Sequence, residues 1–232
     1  MPVLAFAVPD AAGARTAPRR SPAAVIRVVR RGFSNQVSRS EYFPNCGVEL
    51  RNASRSDARD VTVTVTWVDA HGHPLGAVRT DLALIPARRT FYMSCTQTDG
   101  LRVRAASLRV RVKVGRSTSR GAELPVVSKL TLGRARCTER LTPSKCGSGS
   151  LSGWIANRYT TRFSPDAEIY AVFFDAQGNI VGGESDGTTA ASLKPGAKVS
   201  FVFSGPGSSV ARAEVSVDPC GVDAFIGQCR LR

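Results

Sequence analysis

The 232-residue sequence predicts an all-β protein that consists of two tandem antiparallel β-sandwich domains. Three observations support this fold class. The chain repeats itself at an interval of about one domain length. Its clearest segments alternate between apolar and polar residues, and no stretch shows the periodicity of an amphipathic helix.

The repeat relates residues 45–95 to residues 149–204. The interval between matched residues grows only from 105 to 109, so both copies keep one order of elements. We therefore expect a leader at residues 1–22, a first sandwich at 23–118 and a second at 119–232, each with its own hydrophobic core. The matched pairs are Asn52 and Asn157, Asp69 and Asp175, Gly72 and Gly178, Gly76 and Gly182, and Pro86 and Pro195.

The clearest strand covers residues 61–67, where valine alternates with threonine. Three valines and Trp67 form a buried face, and the threonines form a wet one. Upstream we expect a strand at residues 24–29, a long loop to about Pro44 and a short strand at residues 48–52. In the second copy the matching inner face is formed by Ala167, Ile169, Ala171 and Phe173.

Both alternating strands run into an Asp-Ala-x-Gly turn, at Asp69 and at Asp175. An aspartate accepts hydrogen bonds from backbone amides two residues on, and glycine tolerates a positive φ, so each turn predicts a hairpin. The return strands are expected at residues 74–78 and 179–182. Further strands are expected at residues 90–94, 107–114, 199–204 and 211–217.

The order of these motifs resembles the FxLYD domain, an immunoglobulin-like β-sandwich of secreted and surface-anchored bacterial proteins. The resemblance covers about 60 residues of each copy. It implies immunoglobulin-like sandwiches and a module rather than a catalyst. Val65 and Ala171 stand where the family carries a phenylalanine. The motif residues are Phe173-Phe174-Asp175, Gly178, Gly182 and Leu193-Lys-Pro195-Gly196 in the second copy, and Trp67-Val68-Asp69 and Pro86-Ala87 in the first.

The charge of the chain is strongly positive and unevenly distributed. The formal net charge is +14, and residues 1–120 hold 20 basic against 8 acidic residues, whereas residues 121–232 hold 12 against 10. This asymmetry indicates that the first copy faces an anionic partner. The alternative is compositional, since 27 of the 32 basic residues are arginine, as a GC-rich genome would encode.

A row of basic residues is the strongest candidate for a binding site. Leucine and valine point inward within residues 107–114, so the intervening basic side chains face water about 7 Å apart. Such a row suits the phosphates or carboxylates of an anionic cell-envelope polymer, or another surface protein. The alternative is an edge strand that charge protects from aggregation. The candidates are Arg109, Arg111 and Lys113 in the row, Arg102 and Arg104 before it, and Arg88 and Arg89 on a neighbouring loop.

The six cysteines predict disulfides rather than a metal site, because none forms a CxxC pair and the chain has only two histidines. Disulfides require an oxidising compartment. We expect a Cys46–Cys95 bond in the first copy. Two pairings remain open for the others: Cys137–Cys146 with Cys220–Cys229, or Cys146–Cys220 with Cys137–Cys229.

The N-terminal residues look like the end of a secretory signal peptide. A short apolar run at residues 3–8 precedes Ala12-Gly13-Ala14, and residues 15–22 resemble a flexible leader. The sequence contains no run of 18 apolar residues, so it predicts no membrane span. The expected location is therefore secreted or associated with the cell envelope.

The sequence predicts no catalytic, cofactor-binding or metal site. His71 and His73 lie in one tight turn without further ligands, and a catalytic triad needs a histidine elsewhere. Asp69 and Asp175 lack the additional carboxylates of a calcium loop.

We therefore predict a non-enzymatic extracellular module, either binding or structural, with a cationic first domain. One alternative is a nucleic-acid-binding protein that uses the same basic face, although the row contains no aromatic side chain on which bases could stack. A second alternative is an accessory module of a secreted enzyme.

Overall fold

The computed structural model describes residues 23–119, 121–133, 149–204 and 209–220. Across these ranges the chain forms twelve strands and no helix, and hence no helix that could cross a bilayer. The predicted leader at residues 1–22 lies outside the described residues. The strands are β1 (Ile26–Ser38), β2 (Glu41–Asn52), β3 (Asp57–Val68), β4 (Pro74–Ile85), β5 (Thr90–Thr96), β6 (Ser107–Thr118), β7 (Val126–Gly133), β8 (Ser150–Ala156), β9 (Glu168–Phe174), β10 (Ile180–Asp186), β11 (Lys198–Ser204) and β12 (Arg212–Asp218).

The strands form four antiparallel sheets of three, which confirms the all-β prediction. The N-terminal half contains the sheets β1-β2-β5 and β4-β3-β6, and the C-terminal half contains β10-β9-β12 and β11-β8-β7. Each pair of sheets encloses a hydrophobic core. Trp67, Leu50 and Phe91 are buried in the first core, and Ile155 and Phe201 are buried in the second.

The two halves repeat the same buried asparagine. The Asn52 side-chain amide donates to the carbonyl oxygens of Ser56 and Ile85, at 2.8 and 2.9 Å. The Asn157 amide donates in the same way to the carbonyl oxygens of Thr161 and Leu193, at 2.9 and 2.8 Å. Each amide joins the end of its strand to two neighbouring segments, so the sequence match of these two residues reflects one structural role.

The predicted hairpin turns are also confirmed. The Asp69 carboxylate accepts hydrogen bonds from the backbone amides of His71 and His73, both at 2.8 Å. Asp175 does the same for Gln177 and Asn179. The glycine of each turn has a positive φ, which only glycine adopts readily.

The predicted long loop before Pro44 is wrong. Instead, β1 and β2 form one long hairpin whose pairing continues to Ser38 and Glu41. Its turn consists of Arg39 and Ser40, both at positive φ, which matches the right-handed twist of the flanking strands. The polar residues of this segment fit a strand because β1 is an edge strand of its sheet.

The two halves pack sheet against sheet, so that the four sheets form consecutive layers. Alternate residues of β2 face opposite ways: Cys46 lies in the first core, whereas Gly47 lies against the second half. Strand β9 likewise buries Ala171 in its own core, while Val172 and Phe174 pack with Ile180 at the boundary between the halves.

The expectation of an independent core in each half therefore needs one correction. Tyr170, on the outward face of β9, belongs to the core cluster of the first half and packs edge-on against Phe91, with ring centroids 5.9 Å apart. The inner face predicted for this strand is buried as expected. Its other face is buried too, because the first half covers it.

Glycines bring the two halves into close backbone contact. A Cβ atom on Gly47 would lie 2.7 Å from the Gly182 carbonyl oxygen, and one on Gly183 would lie 2.6 Å from the Cβ of Ser94. The Asn45 side chain adds a hydrogen bond, since its Oδ1 accepts from the Gly183 amide at 2.7 Å. The sequence alone did not indicate this interface.

Candidate functional site

The basic row lies on β6, an edge strand of the sheet β4-β3-β6. Arg109, Arg111 and Lys113 are exposed, while Leu108 is buried and the intervening valines pack against the core. This alternation confirms the predicted direction of each side chain. The three basic residues therefore form one column on the outer face of the sheet.

A column of threonines runs beside the basic row. The register places Thr66, Thr64 and Thr62 of β3 next to Arg109, Arg111 and Lys113 in turn. Threonine is much shorter than arginine or lysine, so this column forms a floor between taller side chains.

The opposite wall comes from β4, which is paired to the other side of β3. Ala77, Arg79 and Asp81 lie across from Thr66, Thr64 and Thr62. We call the resulting surface the threonine trough: a floor of Thr62, Thr64 and Thr66 between the columns Arg109-Arg111-Lys113 and Ala77-Arg79-Asp81. With two strand spacings between the columns, their backbones lie about 10 Å apart.

The charges of the trough differ in how they are paired. Arg109 donates to the Gly72 carbonyl oxygen at 3.2 Å, and Arg79 forms an ion pair with Asp81 at 3.0 Å. Within the described residues, Arg111 and Lys113 make no hydrogen bond and no ion pair. These two cations are thus open to an anion from outside.

The basic row ends at Lys113 because the next outward-facing position of β6 is Gly115, which carries no side chain. Asp60 of β3 lies beside Gly115 and adopts a positive φ. Its carboxylate is hydrogen-bonded to the Arg116 guanidinium, which raises the pKa of Arg116. Arg116 is therefore neutralised by an internal partner and does not extend the row.

The remaining basic candidates lie at the two ends of the sheet. Arg102 and Arg104 are exposed just before β6, and Arg88 and Arg89 are exposed in the turn after β4. The ends of the sheet are separated by the length of β3, roughly 35 Å. The structure thus places Arg109, Arg111 and Lys113 in one column, with Arg102 and Arg104 at one end of the sheet and Arg88 and Arg89 at the other.

Sequence reasoning missed Arg79. The signal was present, since the β3–β4 hairpin was predicted and Arg79 follows two residues after the exposed Ala77. The return strand was expected to end at residue 78, whereas it continues to Ile85. The pairing of β3 with β4 also shifts by one residue between Trp67 and Val68. Counting residues outward from the turn therefore does not give the correct partner of Arg79.

The histidine pair lies in the exposed β3–β4 turn. The rings of His71 and His73 are 6.1 Å apart, and His73 Nδ1 lies 3.3 Å from Asp69 Oδ2. The backbone hydrogen bond from His73 lowers the pKa of Asp69. No group of three or more potential metal ligands occurs in the described part of the chain.

The predicted Cys46–Cys95 disulfide is confirmed and joins the adjacent strands β2 and β5. Cys220 is disulfide-bonded as well. Cys137, Cys146 and Cys229 lie outside the described residues, so the two alternative pairings stay predictions. Disulfides of this kind persist in oxidising compartments.

A cleft of about 610 Å³ lies where β4 and β5 meet the C-terminal half. Arg79, Asp81, Asp166 and Glu168 line it, together with Tyr170. The Tyr170 hydroxyl donates to Glu168 at 2.7 Å, and burial raises the pKa of Tyr170. The cleft thus borders the threonine trough on its β4 side.

Comparisons with known proteins identify no family. No family model matches the chain, and no curated protein sequence matches it. A transglutaminase from red sea bream is similar over 84% of this chain, which spans 30% of that chain, with 13% identity and a TM-score of 0.26. Two further structures have lower TM-scores. They are a 7S globulin from Momordica charantia (9% identity, 83% of each chain, TM-score 0.13) and an oxalate decarboxylase from Lactobacillus farciminis (8% identity, 91% of this chain and 93% of that one, TM-score 0.12).

Proposed function

We propose that this chain is a non-enzymatic, extracytoplasmic module that binds an anionic cell-envelope polymer in the threonine trough. The observation that carries the proposal is the pair of exposed cations, Arg111 and Lys113, which have no partner in the described structure and stand beside a low polar floor. The resemblance to FxLYD domains agrees with a module of this kind, and the Cys46–Cys95 bond agrees with the location.

The shape of the site favours a polymer over a small molecule. The trough is an open strip on the face of a sheet, so it offers little enclosure, and binding must come from several contacts in a row. Arginine and lysine bind phosphates and carboxylates, and arginine can do so through two parallel hydrogen bonds. Such binding releases counterions and therefore weakens with salt.

The test is a titration with inorganic polyphosphate across a range of salt concentrations. The double variant Arg111→Gln/Lys113→Gln should bind polyphosphate more weakly. The magnitude of the slope of the log association constant against log salt concentration should fall by about 1.4, or 0.7 for each cation removed. The matched control is Arg88→Gln/Arg89→Gln, which removes the same charge from the far end of the sheet.

Equal losses in the two double variants would contradict the proposal, because they would show an effect of net charge alone. The wild-type chain should also bind polyphosphate at least as tightly as a single-stranded oligonucleotide of matched charge. Tighter binding of the oligonucleotide would favour the nucleic-acid alternative.

A further inference from the structure

One acidic residue stands within the threonine trough. Asp81 Oδ1 accepts a hydrogen bond from the Thr62 hydroxyl at 2.7 Å. The same oxygen accepts from Arg79 Nε and Nη2, both at 3.1 Å, and Oδ2 lies 3.0 Å from Arg79 Nη2. Arg79 and Asp81 lie two residues apart on the same face of β4. The Asp81 carboxylate thus holds the Arg79 guanidinium against the sheet.

Arg79 is a fourth cation in the threonine trough, on the wall opposite the basic row. It lies directly across Thr64 from Arg111, and 63% of its side chain is exposed. A polymer on the threonine floor would therefore have a cation on each side at this level. In the native chain the Asp81 charge cancels the Arg79 charge, and Asp81 itself repels an anion placed above Thr62.

We propose that Asp81 limits the affinity of the threonine trough for polyanions by holding Arg79, and that Arg79 is a binding residue of that site. This inference rests on the proposed function. It adds a second wall to the site and identifies the residue that sets the strength of binding. Only ligands with enough charge to engage Arg79 despite Asp81 would then use both walls.

The experiment compares Asp81→Asn with the native chain in the polyphosphate titration. Asparagine keeps the oxygen that accepts from Thr62 and removes the charge. One additional contact with a flexible single-chain polyanion should raise the salt slope by about 0.7 and the affinity at 0.1 M salt by about fivefold. Asp81→Ser removes the charge with a different side chain and should act in the same direction.

The C-terminal half offers a matched control. Arg212 and Glu214 form an ion pair with the same two-residue spacing on one strand, and Glu214 is partly exposed. Glu214→Gln changes the net charge of the protein as Asp81→Asn does, but far from the trough. Its affinity for polyphosphate should stay within about twofold of the native value, since only local charges act strongly at this salt concentration.

A second comparison tests Arg79 itself. The double variant Arg79→Gln/Asp81→Asn should lose the gain of Asp81→Asn and return to the native affinity and salt slope. The inference would be overturned if Asp81→Asn gained no more than Glu214→Gln, or if the double variant kept the gain. Failure of the native chain to bind polyphosphate is a separate result, which would overturn the proposed function and this inference with it.

Discussion

At the scale of single residues, Asn52 and Asn157 show how one buried polar side chain can join the end of a strand to two neighbouring segments. Asn52 is fully buried and Asn157 nearly so, yet their amide groups are fully engaged with backbone carbonyl oxygens. A buried carbonyl without a partner costs more free energy than an ordinary hydrogen bond contributes. We therefore expect neither an apolar nor a smaller residue to be tolerated at these two positions.

Replacing either asparagine should strongly destabilise its half. Asn52→Ala removes the amide that donates to the carbonyl oxygens of Ser56 and Ile85, and we expect the free energy of unfolding to fall by about 1–3 kcal/mol. Asn157→Ala should act alike. Urea unfolding measures the change, with Gln177→Ala as the exposed control. A loss below about 0.5 kcal/mol for Asn52→Ala would contradict the assigned role.

Apart from the Cys46–Cys95 bond, the side-chain roles that the sequence predicted correctly are local ones. Asp69 and Asp175 act on amides two and four residues away, so their pattern is readable from a short segment. Arg111 and Lys113 follow from alternation along one strand. Arg79 and Asp81 were missed because their role depends on the register between β4 and β3, and that register shifts within the hairpin.

At the scale of elements, β9 differs from a typical sandwich strand because both of its faces are buried. Three of its seven residues are aromatic. This apolar content suits both faces, because one face packs in the core of the second half and the other packs against the first half. Strand β2 of the first half packs against this second face. Gly47 lies where the backbones of the two halves come closest, because a side chain there would not fit.

A side chain at Gly47 should separate the two halves. Gly47→Ala places a Cβ atom 2.7 Å from Gly182 O, Ile180 Cγ2 and Val172 Cγ1, so the backbone must shift, at a cost of about 1–3 kcal/mol. Gly187→Ala is the control, since nothing lies within 4 Å of its Cβ position. Urea unfolding compares the two variants, and equal stability would contradict the close packing.

The long β1–β2 hairpin could not be predicted from local signals. Its turn residues, Arg39 and Ser40, adopt positive φ without a glycine or asparagine to mark the position. The hairpin is stabilised by its pairing along twelve register positions and by the neighbouring strand β5, to which the Cys46–Cys95 bond attaches β2. These are tertiary effects, and a short sequence window does not contain them.

At the scale of the whole molecule, the interface couples the two halves. Tyr170 enters the first core, the Ser94 hydroxyl donates to the Glu184 carbonyl oxygen at 2.6 Å, and Asp218 accepts from the Ala83 amide at 2.8 Å. The repeat in the sequence predicted two units but gave no sign of this contact, because most of the residues that form it, Tyr170 and Ser94 among them, differ between the copies.

The coupling predicts a single cooperative unfolding transition. Trp67 reports on the first half, and Trp154→Phe leaves it as the sole tryptophan. Thermal unfolding followed by Trp67 fluorescence should then coincide with unfolding followed by far-ultraviolet circular dichroism, which samples both halves. Two separated transitions in the native chain would show that the halves unfold independently.

The stacking of four sheets also fixes a distance. Adjacent sheets pack about 10 Å apart, so the cationic face on β4-β3-β6 and the outer face of β11-β8-β7 lie on opposite sides of the molecule, about 30 Å from each other. Because glycine contacts and Tyr170 join the inner layers, this distance does not depend on a hinge. A polymer held at one face and any structure attached at the other would be kept apart by a rigid spacer of constant thickness.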